Sequence, residues 1–161
     1  MKPKVILVPL DGSLLAESAL PEAIEIAHDS GATLVLLRAA EAHTLPPADP
    51  TEAQVAVVRK AEEYLATMTE RVKTAGVSTV EPSVWYGPPA EAIIDCARFR
   101  NADLIVMTTH GRSGLGRLVL GSVAETVLRS TTTPILLVRD REAPVETLGT
   151  EARPASEISH V

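Results

Sequence analysis

Gly111, Gly114 and Gly116 fall within six residues, and Gly121-Ser122 follows shortly after. An apolar run, LIVMT, precedes them and an amphipathic run, VAETVLRS, comes next. A strand, a glycine-rich loop and a helix in succession are the sequence form of an anion cradle. Glycine lets backbone N–H groups approach a phosphate, and a helix start adds the positive end of its dipole. The loop, THGRSGLGRLVLGS, has no Gly-Lys-Ser/Thr and is not a P-loop. Its glycines are in the wrong order for GxGxxG, and Leu115 removes the GxSxG reading for Ser113. Taken alone, the same glycines would also serve a plain surface loop.

A second group of polar residues follows the first apolar run, in Pro9-Leu10-Asp11-Gly12-Ser13. The Asp11 carboxylate suits ribose hydroxyls or a phosphate-bound Mg²⁺, and Asp-Gly-Ser is equally good turn chemistry. Ser13 is an expected N-cap. Arg112 and Arg117 add positive charge beside the glycines. His110 has no Ser-His-Asp arrangement around it, and His28, His43 and His160 lack metal-ligand spacing. Cys96 has no adjacent basic partner and reads as a buried, inert thiol. No catalytic residue is assigned.

These residues need a scaffold, and the apolar pattern supplies one. Val5 to Pro9, Thr33 to Ala39 (apolar until Arg38), a stretch within Val77 to Tyr86 that Pro82 interrupts or makes start late, Leu104 to Thr108 and Pro134 to Val138 read as strands. Helices are expected after Ser13, kinked at Pro21 and stopped by Gly31; from about Glu52 to Ala75, capped by Thr51 with Gln54; and after Pro88-Pro89. A fourth starts at about Val123, where Ser122 and Glu125 have capping-box spacing. Strands alternating with helices, each strand continuously apolar, predict an open α/β parallel sheet covered on both faces. Ligands then bind beyond the carboxyl ends of the strands, where the strand order reverses. If the first and fourth strands are neighbours, the Asp11 turn and the glycine loop share one crevice.

The chain has 161 residues, a formal charge of −6 and a single cysteine. That length suits one domain, here 1–141, followed by a polar tail over 142–161 that is expected to be partly disordered. The negative charge and the four aromatic residues, Tyr64, Trp85, Tyr86 and Phe99, argue against nucleic acid as a partner. No stretch approaches the ~20 apolar residues of a membrane span. One cysteine fits a reducing compartment, and cytoplasmic is the expectation.

The stretches VILVPLDGSLLAESAL, LVLLRA, YGPPAEAI and DLIVMTTHGRSGLGRLVLGSVAETVLRSTTTPILLVR resemble the universal stress proteins, in the adenine-nucleotide α-hydrolase-like group. The likeness runs from Lys2 to about Arg139. ATP-binding members carry Gly, two residues, Gly, nine residues, then Gly-Ser or Gly-Thr. Gly111 and Gly121-Ser122 match that spacing, and Thr108 stands at the first glycine. The resemblance implies strand order 3-2-1-4-5 and an ATP or AMP site, with Mg²⁺ accompanying ATP. Carried over by position, that site takes in Pro9, Leu10, Asp11, Ser13, Ala39, Met107, Thr108, Gly111, Arg112, Gly114, Gly121, Ser122 and Val123; for Ala39 the assignment comes from the resemblance alone. The function implied is a nucleotide-binding stress-response switch or sensor. The alternatives are a slow ATPase, for which no lysine or base is arranged, and an interaction protein that holds no nucleotide. The strand Thr133 to Arg139 would be a sheet edge too apolar to stay open, and a homodimer through it is expected, both from the edge and from the resemblance. Which other proteins it meets is not specified by the sequence.

Overall fold

The computed structural model describes residues 2–42, 49–109 and 120–139. Gly111, Arg112 and Gly114, with His110 and Arg117, lie outside them, as does the tail at 142–161. Five strands, β1 (Val5–Pro9), β2 (Thr33–Ala40), β3 (Val80–Tyr86), β4 (Leu104–Thr108) and β5 (Ile135–Val138), form one parallel sheet in the order β3-β2-β1-β4-β5. The expected architecture and strand order are therefore present.

Alternation along the strands divides the core into two layers. Ile6, Val8, Leu34, Leu36 and Val106 face one side. There they pack on α2 (Leu20–Ser30) through Leu20, Ala23 and Ala27, and on α3 (Pro50–Thr74) through Leu65, Met68 and Val72. Leu7, Val35, Leu37, Ile105 and Met107 face the other. They pack on α4 (Pro89–Phe99) through Ile93 and Ala97 and on α5 (Ser122–Ser130) through Ala124 and Val127. Alanines on α2 let that helix lie close to the sheet.

Local chemistry departs from the sequence pattern at four points. The helix after Ser13 is broken, not kinked. A four-residue turn, α1 (Leu14–Glu17), ends at Ser18, and α2 restarts at Leu20. Pro21 has no N–H to give the carbonyl one turn back, so it sits in the new helix's first turn. The cap of α3 is Asp49, whose carboxylate accepts the Thr51 N–H at 2.8 Å, with Pro50 in the first turn; Thr51 is not the cap. The cap of α5 is Gly121, with Ser122 already helical. Glu125 does not reach back in a capping box; its carboxylate takes Arg129 at 2.8 Å. Finally, β3 runs through Pro82, which an edge strand tolerates because one row of its N–H groups has no sheet partner.

At the end of the sheet where β1 and β4 begin, the Asp103 carboxylate accepts the N–H groups of Lys4 (2.7 Å) and Val5 (2.9 Å). These two bonds, Lys4 first, hold its pKa below the ordinary aspartate value. A carboxylate whose folded pKa is depressed contributes stability that is complete above its unfolded pKa, about 3.9, and is lost as pH falls through the folded value. Asp103→Ala should therefore lower the melting temperature at neutral pH and shrink that difference as the pH drops below about 4, a trend that thermal melts at stepped pH will check.

Candidate functional site

β1 and β4 are neighbours at the centre of the sheet, with Ile6 opposite Leu104 and Leu7 opposite Ile105. The chain runs from β1 outward to β2 and β3, then crosses back to β4 and outward to β5. The order reverses between β1 and β4, so the crevice lies beyond their carboxyl ends. The loop leaving β1 is anchored by Leu10, whose N–H donates to the Leu37 carbonyl at 2.8 Å. It then turns at Gly12, where φ is +82°, a value that a glycine adopts without strain. The Asp11 Oδ1 accepts both the N–H (2.9 Å) and the hydroxyl (2.5 Å) of Ser13. Ser13 Oγ in turn accepts the Ala16 N–H at 3.1 Å, capping α1 as expected. Asp11 is thus a turn-forming residue at the mouth of the crevice. Pro9, Asp11 and Ser13 are half-buried there, and Leu10 is buried.

On the β4 side, Met107 and Thr108 complete the strand and are buried. Thr108 keeps strand geometry, since among the described residues Asn101 is the one non-glycine at positive φ. Thr109 donates its N–H to the Val138 carbonyl at 3.2 Å, and its own carbonyl accepts the Gly121 N–H at 2.7 Å. That second bond brings the start of α5 to the carboxyl end of β4. The first N–H groups of the helix, at Ser122, Val123 and Ala124, have no intrahelical acceptor. The Gly121 carbonyl takes the Glu125 N–H at 2.9 Å and closes the first turn. Gly121 itself has φ −60° and ψ 151°, a conformation open to any residue. The fold therefore does not demand glycine here. Ala39 is the last residue but one of β2, opposite Trp85, and is half-buried.

The structure therefore brings Pro9, Leu10, Asp11 and Ser13 to the β1 side of the crevice and Met107, Thr108, Gly121, Ser122 and Val123 to the β4 side. The arrangement sets a carboxylate in the turn after β1 and, after the neighbouring β4, a helix start of the kind that favours negative charge. Among the described residues, no three His, Cys, Asp or Glu side chains gather as a metal site, and no helix is long and apolar enough to cross a membrane. Cys96 is buried, with Ser83 Oγ 3.8 Å from its sulfur. Burial raises its pKa, which suits the inert thiol expected.

The sequence reading missed a layer beneath the Asp11 turn. Glu17 is only 8% exposed. It accepts the Tyr64 hydroxyl (3.0 Å) on one oxygen and Arg71 (2.8 Å) on the other. Burial first, and then the bond to Glu17, push the Tyr64 hydroxyl well above the usual tyrosine range. The Arg38 guanidinium lies over the Tyr64 ring, 5.6 Å from its centre. The one sequence signal was the charge of Arg38 within an otherwise apolar strand.

A family model described as "Universal stress protein family" matches residues 2–139. A Staphylococcus aureus (strain USA300) protein named as a universal stress protein is 34% identical over 146 residues, covering 89% of this chain and 88% of its own length. Among solved structures, the universal stress protein UspA from Lactobacillus plantarum is similar with a TM-score of 0.76 at 28% identity, covering 86% of this chain and 99% of that one. A universal stress protein in complex with cAMP is similar with a TM-score of 0.68 at 26% identity, covering 86% and 98%.

Proposed function

The chain belongs to the universal stress protein family, and we propose that it is a member that binds an adenine nucleotide, ATP or AMP, and acts through that occupancy as a stress-response switch or sensor. The observation that carries this reading is the 2.7 Å bond from the Gly121 N–H to the Thr109 carbonyl. It sets a helix start, whose first N–H groups have no intrahelical acceptor, beside the strand whose neighbour leads into Asp11. The phosphates would lie on the N–H groups of Ser122 and Val123, and the ribose or a phosphate-bound Mg²⁺ on Asp11. Ala39 and Met107 would border the adenosine. Gly111, Arg112 and Gly114 belong to the same proposal by position. The relative in complex with cAMP supports an adenine ligand in this family. The free thiol of Cys96 suits a reducing, cytoplasmic compartment.

Isothermal titration with ATP, ADP and AMP tests the reading, and micromolar or tighter binding is expected, with the ATP signal dependent on Mg²⁺. No heat with any of the three would overturn it. Asp11 needs two variants, because its carboxylate also makes the turn. Asp11→Asn keeps an acceptor for Ser13 and suits the same turn, whereas Asp11→Ala removes both turn and charge. Hydrogen bonds to a charged group are worth ~1.5–3 kcal/mol, so Asp11→Asn should weaken binding by about ten- to a hundredfold with little change in melting temperature. Undiminished affinity in Asp11→Asn would reduce Asp11 to a turn residue.

A further inference from the structure

Arg38 interrupts the face of β2 that carries Leu34 and Leu36 into the core. A guanidinium there gives up water and needs a built environment. It has one: the Tyr64 ring lies 5.6 Å from its Cζ. Gly12 also lies against it, so close that a Cβ added to that glycine would stand 3.1 Å from Nη1 and 3.5 Å from Cζ and Nη2. We propose that Arg38 is a positioning residue for the Asp11–Ser13 turn, its guanidinium forming the plate against which Gly12 rests.

The need for such a plate follows from the element it supports. A helix of four residues cannot hold itself, since helices under ~12 residues are marginal without packing. α1 is instead gripped at both ends. Arg38 abuts Gly12 just before it, and Glu17 at its last turn is held by Tyr64 and Arg71. Tyr64 belongs to both grips, so the ring that carries Arg38 also anchors the far end of the helix. Between them lie the bonds that shape the turn, from Ser13 to Asp11 and from Ala16 to Ser13. The order of the turn is independent of any ligand; its effect on affinity rests on the nucleotide-binding reading above.

Site-resolved amide hydrogen exchange, paired with AMP and ATP titrations, tests this. In Arg38→Met the stem remains and the plate is gone. The Ser13 and Ala16 amides should exchange at least about tenfold faster, while Leu7 and Leu36 in the sheet keep their protection. If the formed turn drops to about a tenth of the population, affinity for both nucleotides falls about tenfold. Arg38→Lys, which keeps the charge but not the planar group, should behave alike and serves if the methionine variant does not fold. Tyr64→Phe keeps the ring face and should leave Ser13 near its wild-type rate. Unchanged Ser13 and Ala16 exchange in the Arg38 variants, or faster exchange spread evenly over the sheet, would overturn the proposal. A wild-type chain that binds neither nucleotide would sink the functional reading, and the exchange data would still decide the role of Arg38.

Discussion

Gly121→Val is expected to abolish nucleotide binding and leave the chain folded. The two halves of this result come from different features. Gly121 sits at φ −60° and ψ 151°, which valine adopts freely, so the backbone is not strained by the change. As a helix cap, valine is poorer than glycine, and capping changes cost ~0.5–2 kcal/mol. That is a modest part of a domain's stability. Binding is affected in another way. A β-branched side chain at the cap stands where a phosphate must come to reach the first N–H groups of α5. Moving from micromolar to worse than millimolar affinity needs only about 4 kcal/mol, well within the reach of a blocked contact. Calorimetry on the variant, with its melting curve as control, will check both halves. Tight binding retained by Gly121→Val would mean that the ligand does not approach this helix start.

Light scattering is expected to give twice the 17.1 kDa chain mass for the wild type at tens of micromolar, and a single chain mass for Leu137→Pro. β5 borders only β4, so its outer row of N–H and C=O groups has no strand partner among the described residues. Such an edge invites pairing, and a two-fold axis beside it would join two sheets antiparallel. Direction along β5 decides which residue to change. The Pro134 carbonyl accepts from Ile105, and that of Val138 from Thr109, so the even-numbered residues bond inward to β4. The N–H groups of Ile135, Leu137 and Arg139 therefore face outward. Proline at Leu137 removes an outward donor and spares the inner ladder. Proline at Leu136, the choice that the strand's apolar sequence suggests first, would instead cut a bond inside the sheet. Leu136 is 37% exposed and would be covered in a dimer that extends past this edge. A wild-type monomer at that concentration would refute the homodimer.

The strands were legible because buried parallel strands are continuous apolar runs. β1 and β4 begin and end where those runs do, and β2 gains only Ala40. Strand order was legible through resemblance alone, since periodicity says nothing about which strand lies beside which. Helix starts were harder. At Asp49 and Gly121 a better-situated residue one or two positions upstream of the capping-box pattern took the cap, and Glu125 preferred Arg129. Asp11 and Gly121-Ser122 could be proposed from sequence because they follow the apolar runs of β1 and β4 with no other described element between. The support beneath them could not. Glu17 and Tyr64 meet across 47 residues, and Glu17 and Arg71 across 54, distances at which local sequence carries no trace of a contact.

The position of β1 also bears on how the chain is made. It is the central strand, wholly buried at Ile6, Leu7 and Val8, and the bond from Val5 to Asp103 spans 98 residues. Synthesis delivers ~5–20 residues per second, so about 5–20 s separate the birth of β1 from that of β4. β2, β3 and their helices can assemble on one side of β1 during that interval. Its other side stays an unpaired apolar edge, the kind of surface on which nascent chains associate wrongly. The β1–β4 junction, where the candidate site lies, is thus the last part of the sheet's centre to exist, and a ribosome-bound chain stopped short of Leu104 would be both without that junction and in need of a chaperone.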